Sequence, residues 1–227
     1  MRRTALHGLA ALLCGALLSF PAVRARAEKP AREVRVAAAA DLKFALDEVF
    51  RATAASIPGI RPEVTYGSSG SFFAQIENGA PYDLFLSADA DYPHRLAARG
   101  RADGDVFLYA VGRLAIWVPS SSKLDVRALG LRALLDPSVR KVAIANPRHA
   151  PYGRAAEAAM KALGVLDGVR AKLVLGENVA QAAQFVQSGM ADAGVFALSL
   201  ALAPQMRTTG RPAEVPLASY PRMDQGG

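Results

Sequence analysis

Small polar residues stand at three places where a strand-like run gives way to a helix-like run. These places are residues 39–41 (AAD), 68–71 (SSGS) and 151–153 (PYG). The first turn of a helix offers backbone N–H groups without partners and a partial positive charge, and nearby hydroxyls add donors. Such a set can bind an anion without lysine or arginine. The alternative is that Ser69 or Ser71 merely caps its own helix.

Three other kinds of chemistry have weaker support in the sequence. A Ser-His-Asp set would need Ser69, His149 and Asp89, but GSSGS places two serines between its glycines and is not the G-x-S-x-G elbow. Asp83 and Asp89 flank a strand as an acid/base pair would, although Asp89 is better placed to cap the next helix. His94 and His149 lack metal-ligand spacing. We therefore expect neither an enzyme nor a metal site.

The order of the elements predicts how the three polar places come together. Runs typical of strands and helices alternate from residue 33 to residue 99, which indicates a mostly parallel sheet covered by helices. In such a sheet, ligands bind outside the carboxyl ends of the strands. A longer run, 107–120, breaks the alternation before further strands and helices follow. The pattern predicts an α/β protein of two lobes, with the chain crossing near residues 108–119 and 194–217.

The individual elements follow from the hydrophobic periodicity and from glycine stops. The predicted strands are 33–39, 62–67, 82–88, 107–120, 141–147, 171–178, 191–199 and 213–220, and the predicted helices are 41–55, 71–78, 91–99, 129–135, 152–164 and 179–187.

The N-terminal residues indicate export. Two arginines precede an apolar run, residues 5–20, that is short for a membrane span, and residues 25–27 (ARA) match an A-x-A cleavage site. We expect a signal peptide at residues 1–27, cleaved after Ala27, and a periplasmic protein; a retained membrane anchor is the alternative. Cys14 is the single cysteine and lies in the leader without a small residue before it, which disfavours lipid attachment.

The charge of the chain argues against a polyanion as partner. The chain has 27 basic and 20 acidic residues, and four of the arginines lie in the predicted leader. The remaining basic residues are scattered, without a block and without interleaved aromatics. Nucleic acid is therefore not expected as a partner.

Four segments carry longer motifs. They are VRVAAAADLKFAL (34–46), GSSG…QIENGAPYDLFLSAD (67–89), VAIANPRHAPYGRAAEAAM (142–160) and GENVAQAAQFVQSGMADAGVF (176–196). In this order they resemble the periplasmic molybdate- and tungstate-binding protein family, the substrate-binding subunits of ABC importers. The second segment is the most specific, and the resemblance extends from about residue 34 to residue 223.

The resemblance implies both a fold and a function. The fold is that of a two-lobed periplasmic binding protein (type II), with mixed, mostly parallel sheets and a hinged cleft. Lobe I would comprise residues 28–110 and 198–227, and lobe II residues 111–197. The implied function is to capture a small oxyanion, molybdate or tungstate, without a cofactor and without chemistry. A monomer would then deliver it to the membrane permease of an ABC importer.

The resemblance also implies the residues of the ligand site. They are Ala40, Asp41, Ser68, Ser69, Tyr152, Asn178, Val179 and Ala197. Ser69 stands where the family has a hydroxyl ligand. Tyr152 and Val179 stand where it uses backbone amides at helix starts.

Departures from the family pattern bear on the ligand. Asp41 replaces a ligand serine, and Ala197 replaces a ligand tyrosine. A carboxylate facing a dianion is repulsive by several kcal/mol at an effective dielectric constant of about 20, so we expect Asp41 to cap its helix instead. The alternative is a different ligand, such as a protonated or metal-containing anion. Tyr152 could supply the lost hydroxyl, and Arg154 could offset Asp41. The resemblance further implies one more strand and a final helix after SYPRMDQGG (219–227). The sequence does not contain them, so we expect lobe I to have an exposed sheet edge.

Overall fold

Alternating strands and helices make up residues 31–227, the part of the chain that the computed structural model describes. The predicted signal peptide and Cys14 lie outside the described residues. The strands are β1 (Arg32–Ala39), β2 (Ile60–Gly67), β3 (Leu84–Leu86), β4 (Leu108–Gly112), β5 (Leu114–Pro119), β6 (Val142–Ala145), β7 (Leu173–Gly176), β8 (Ala193–Ala197), β9 (Gly210–Glu214) and β10 (Met223–Gly226). The helices are α1 (Lys43–Thr53), α2 (Ser69–Glu77), α3 (Asp91–Ala98), α4 (Val126–Leu129), α5 (Pro151–Ala162), α6 (Leu166–Val169), α7 (Val179–Gln187), α8 (Leu198–Ala201) and α9 (Pro204–Thr209). Short 3₁₀ turns occupy Ala40–Leu42, Gly130–Leu135, Arg170–Lys172 and Leu217–Ser219.

The strands form two groups, which we call the first and the second lobe. In the first lobe, β1 lies between β2 and β3 and is parallel to both. A bridge between Ser87 and Gly226 joins this sheet to the antiparallel pair β10–β4. In the second lobe the order is β7-β6-β8-β5-β9, where β6 is parallel to its neighbours and β5 is antiparallel to both of its own. The predicted α/β class, with parallel and mixed sheets, is confirmed.

Apolar strands dictate where the core lies. The strands β6 and β8 are buried along their whole length, and β5 is buried except at Pro119, as expected for strands covered on both faces. Trp117 and Phe196 are the largest fully buried side chains and pack at a ring distance of 6.3 Å. The first lobe has a much smaller cluster around Val36, Ala38 and Leu86. The second lobe is therefore the better packed of the two.

The predicted division of the chain is wrong at one boundary. Strand β9 pairs with β5 from Gly210 to Glu214, so residues 198–214 lie with the second lobe and not with the first. Gly210 permits this pairing, because a Cβ there would overlap the indole ring of Trp117. The chain returns to the first lobe only through β10, which the sequence did not predict. The strand predicted at 213–220 instead ends at Glu214 and is followed by a 3₁₀ turn.

Parallel strands place four helical starts at corresponding edges of the two sheets. The 3₁₀ turn Ala40–Leu42 follows β1, α2 follows β2, α5 follows β6 and α7 follows β7. Parallel strands end on the same side, so the first turns of these helices lie side by side within each lobe. No helix within residues 31–227 combines the length and the apolar character needed to cross a bilayer.

The close approach of α5 to β6 gives a first prediction. A Cβ on Gly153 would overlap the carbonyl oxygen of Ala145 and would lie 2.8 Å from Pro147 N. We expect Gly153→Ala to lower the free energy of unfolding by about 1–3 kcal/mol, because the first turn of α5 must move away from the sheet. Urea unfolding measures the change. Gly59→Ala is the matched control, since nothing lies within 4 Å of its added Cβ. Equal losses in both variants would contradict this account of α5.

Candidate functional site

The four helical starts meet at a cavity of about 10 Å³, room for about one water molecule. Residues of both lobes line it: Ala39, Ala40, Asp41, Gly67, Ser68, Ser69, Ala88, Ala150, Pro151, Tyr152 and Val179. No lysine or arginine side chain is among them. Larger hollows of about 360 to 610 Å³ lie elsewhere on the described surface, but none of them brings these helical starts together. We take the small cavity as the candidate site.

The two serines at the start of α2 have different tasks. Ser68 is the N-cap: its Oγ accepts from Ser71 N at 3.3 Å and lies 2.9 Å from His149 Nδ1. Ser69 Oγ accepts from Ala88 N at 2.9 Å, and the side chain is 1% exposed. Within residues 31–227 no acceptor takes the hydrogen of Ser69 Oγ. Ser69 therefore retains a donor at the cavity, and the alternative that it only caps its helix is wrong.

The starts of α5 and α7 offer backbone amides. Helix α5 begins with Pro151, which has no N–H, so Tyr152 N–H is the first amide of that helix. At α7, Asn178 Oδ1 accepts from Ala180 N and Gln181 N, each at 3.0 Å. This cap leaves the N–H of Val179 without an intrahelical partner. The structure thus places Tyr152 and Val179 at the cavity, whereas Asn178 stands one residue behind it as a cap.

The Asp41 carboxyl group lies at the cavity and does not cap a helix. Its side chain is buried, and Oδ2 accepts from Tyr152 OH at 3.1 Å and from Gln225 Nε2 at 2.9 Å. The 3₁₀ turn that contains Asp41 has no side-chain cap. The expectation that Asp41 turns away to cap its helix is therefore wrong. Its local preference as a cap is outweighed by two tertiary hydrogen bonds.

Burial governs the protonation of this cluster. Removal from water raises the pKa of Asp41, and the hydrogen bonds from Gln225 and Tyr152 only partly oppose this. Burial, together with the neighbouring carboxylate, holds the pKa of Tyr152 well above its usual value. Tyr152 OH therefore stays protonated and donates, while the carboxyl group of Asp41 is the group whose charge is poorly tolerated.

Gln225 is a site residue that the sequence did not reveal. It is 2% exposed and lies on β10, and its Nε2 contacts Tyr152 OH at 3.0 Å as well as Asp41. Ala197, in contrast, was predicted as a ligand position but is not part of the cavity wall. It pairs with Leu114 in the second sheet and has no polar side-chain atom. The polar groups near Asp41 come from Tyr152 and Gln225 instead.

Polar contacts join the two lobes around the cavity. Arg154 of α5 contacts Asp89 of the first lobe at 2.6 Å and Tyr92 OH at 3.1 Å. Gly70 N donates to His149 O at 3.0 Å. The expectation that Arg154 offsets the charge of Asp41 is therefore wrong. Arg154 forms an ion pair that bridges the lobes.

Comparison with known proteins now adds to the geometry. A family model described as bacterial extracellular solute-binding protein matches residues 34–227. The chain belongs to this family. Among the described residues of this solute-binding protein, no group of three or more His, Cys, Asp or Glu side chains could hold a metal ion.

Several relatives of this solute-binding protein are named for molybdate. The chain is 42% identical over 139 residues to the molybdate-binding protein of Rhodobacter capsulatus, covering 60% of this chain and 54% of the relative. It is 36% identical over 170 residues to that of Azotobacter vinelandii, covering 74% and 66%. The matches thus span less than two thirds of these relatives' lengths. The resemblance found in the sequence motifs is confirmed.

A solved structure supports the fold. The periplasmic molybdate-binding protein of Azotobacter vinelandii matches with a TM-score of 0.76 at 33% identity, covering 85% of this chain and 83% of that one. The predicted fold of a two-lobed periplasmic binding protein is therefore confirmed for this solute-binding protein. The eight predicted ligand residues stay predictions, and the geometry favours six of them, those in the cavity wall.

The buried carboxyl group makes stability depend on pH in a definite direction. The pKa of Asp41 is raised on folding, so ionisation destabilises the folded protein as pH rises from the unfolded value of about 3.9 toward the folded value. We expect Asp41→Asn to be more stable than wild type by about 1–3 kcal/mol at neutral pH, and the gain to shrink near pH 4.

Urea unfolding of both proteins across this pH range measures the difference. Asp167→Asn is the control, since it removes a carboxylate whose side chain is 99% exposed. A gain that is the same at all pH values, or that also appears in the control, would contradict the assignment to Asp41.

Proposed function

We propose that the protein captures a small oxyanion, with molybdate as the first candidate, and delivers it to the membrane permease of an ABC importer. The observation that carries the proposal is the meeting of amide and hydroxyl donors from both lobes at one buried cavity. Ser69 supplies a hydroxyl from the first lobe, and Tyr152 and Val179 supply backbone amides from the second. The names of the relatives support molybdate as the ligand.

The donor set suits an anion of low charge density. Backbone N–H groups at helix starts bind negative charge through hydrogen bonds and the helix dipole, without any basic side chain. Exclusion of water strengthens each of these contacts. Donors of this kind recognise the shape and charge of the ligand and not its central atom. Tungstate, a tetrahedral dianion of similar size, is therefore proposed to bind as well.

Binding requires a rearrangement of the site. The cavity of about 10 Å³ is smaller than any tetrahedral oxyanion. The lobes must separate and close again around the ligand, or Asp41 must shift. Because the donors come from both lobes, the ligand stabilises the closed arrangement most, which is a population shift.

Asp41 sets a condition on the ligand. A carboxylate about 4 Å from a dianion would be repelled by roughly 8 kcal/mol at an effective dielectric constant of about 20. No basic side chain in the cavity wall offsets this repulsion. The carboxyl group must therefore be neutral when an oxyanion is bound, or the anion must itself carry a proton.

The hydrolase alternative has no geometric support. His149 Nδ1 contacts Ser68 and not Ser69, and Asp89 pairs with Arg154 instead of a histidine. The set named from the sequence, Ser69, His149 and Asp89, is thus not connected as a nucleophile, a base and an orienting acid. We propose a binding protein that performs no reaction on its ligand, and we retain the prediction of a periplasmic monomer.

A thermal melt tests the proposed ligand. Molybdate at about 1,000 times its dissociation constant should stabilise the protein by roughly 4 kcal/mol, a rise in Tm of roughly 8–16 °C. Tungstate, sulfate and phosphate are compared at equal ionic strength, with chloride as the reference salt. Ser69→Ala should reduce the shift with molybdate, because it removes a hydroxyl donor. A cooperative melt that none of these anions moves would rule out a simple oxyanion.

The ion pair between the lobes gives a further prediction. Arg154→Gln removes the contact with Asp89, and because the pair is partly exposed we expect a modest effect, roughly a two- to fivefold weaker affinity for molybdate. Isothermal titration calorimetry measures the affinity. Arg170→Gln is the matched control, since Arg170 pairs with Glu157 and Asp167 of its own lobe. Equal affinities in wild type and Arg154→Gln would show that the pair does not hold the closed form.

A further inference from the structure

One oxygen of the candidate site has no hydrogen-bond partner. Among residues 31–227, Asp41 Oδ1 is the single buried side-chain oxygen or nitrogen in this condition. Its residue is 3% exposed and belongs to the cavity wall. The other oxygen, Oδ2, already accepts from Tyr152 and Gln225. The two oxygens of this carboxyl group are thus in different environments: Oδ2 accepts two hydrogen bonds and Oδ1 accepts none.

Within residues 31–227, no lysine or arginine lines the cavity next to Asp41. The titratable groups that act on it are Tyr152 of α5 and Tyr109 of β4, and burial raises the pKa of both phenols. Gln225 of β10 is neutral. On α8, Ser199 Oγ donates to the main-chain oxygen of Asp41 at 2.9 Å and does not titrate.

The charged groups just outside the cavity are engaged elsewhere. His149 Nδ1 contacts Ser68, and its Nε2 lies 3.6 Å from Glu177 Oε1, next to the start of α7. Arg154 is paired with Asp89. The helical starts of α2 and α7 contribute Ser69 and Val179 to the cavity wall, and neither carries charge.

We propose that Asp41 binds the oxyanion through a shared proton, so that the protein takes up one proton with each oxyanion. The proton lies on the side of Oδ1, because Oδ2 is occupied by two donors. Asp41 Oδ1–H then donates to an oxygen of the anion, or a protonated anion donates to Oδ1. The two forms have the same composition, and no covalent bond forms or breaks. This inference rests on the proposed function.

The shared proton makes Asp41 a residue that determines specificity. An oxyanion with basic oxygens holds a shared proton better than sulfate, which is a weak base. The site should therefore favour molybdate, tungstate and hydrogen phosphate over sulfate. Its affinity for the ligand should also fall as pH rises, because the concentration of protons in solution falls and binding requires one proton.

Calorimetric titration with molybdate tests the inference. We expect the affinity of wild type to be constant at pH values where Asp41 is already neutral, and to fall by up to about tenfold per pH unit, the slope for one proton, once pH exceeds the pKa of Asp41 in the unliganded protein. On the steep part of this curve, titration in two buffers of different ionisation enthalpy should show close to one proton taken up per molybdate. Asp41→Asn should bind with no slope and no proton uptake, because its amide donates without one. It should also bind more tightly than wild type near pH 8.

Two controls keep the result specific. Asp167→Asn removes an exposed carboxylate and should keep the slope of wild type. His149→Gln, which removes the imidazole next to Ser68, should keep it as well. A slope that persists in Asp41→Asn and disappears in His149→Gln would assign the proton to His149 and overturn the inference. If Asp41→Asn does not fold, the proton count of wild type in the two buffers still decides.

The remaining outcomes separate the two proposals. Molybdate binding by wild type that is independent of pH and takes up no proton would overturn the inference and leave the proposed function standing. Absence of binding to molybdate in every folded variant at every pH would overturn the proposed function, and the inference with it.

Discussion

Unpaired backbone donors at helical starts are the constraint on which the rest of the structure depends. A buried N–H without an acceptor is costly, so the first turns of α2, α5 and α7 can face one another only across a place that receives acceptors. The surrounding sequence serves this arrangement. Gly153 lets α5 press against β6, and the small residues Ala39 and Ala40 leave space between the lobes. The cavity is the point where these donors converge.

A negative charge on the carboxyl group of Asp41 is unfavourable at a site whose donors are arranged to bind an anion. Repulsion between a carboxylate and a bound dianion amounts to roughly 8 kcal/mol, whereas protonating a carboxyl group of ordinary pKa at neutral pH requires about 4 kcal/mol. The smaller term decides, so the neutral form is the one compatible with a bound anion. Burial lowers that requirement further, because it already raises the pKa of Asp41 in the folded protein. In the proposed binding mode, the neutral carboxyl group of Asp41 therefore donates a hydrogen bond to the anion instead of repelling it.

The sequence was informative where local rules determine structure. The predicted helix 179–187 coincides with α7, whereas the helix predicted from residue 71 begins at Ser69 and is capped by Ser68. Three features escaped because distant pairings decide them. Strand β10 is short and polar and is defined by its pairing with β4, so neither it nor Gln225 could be recognised. The lobe boundary failed because β9 joins β5, and Asp41 failed because tertiary hydrogen bonds outweighed its preference as a cap.

Several of the contacts between the lobes are polar, partly exposed and individually weak. Arg154 and Asp89 are 42% and 28% exposed, so their pairing contributes about 1 kcal/mol or less. The contact between Ser68 and His149 and the bond from Gly70 N add modest amounts each. In the proposed mechanism, contacts of this strength add little to the free energy that separates the open and closed forms. A ligand that gains several kcal/mol only in the closed form shifts that balance by orders of magnitude. In the proposed mechanism, weak contacts of this kind allow a few amide and hydroxyl donors to shift the balance between the open and closed forms.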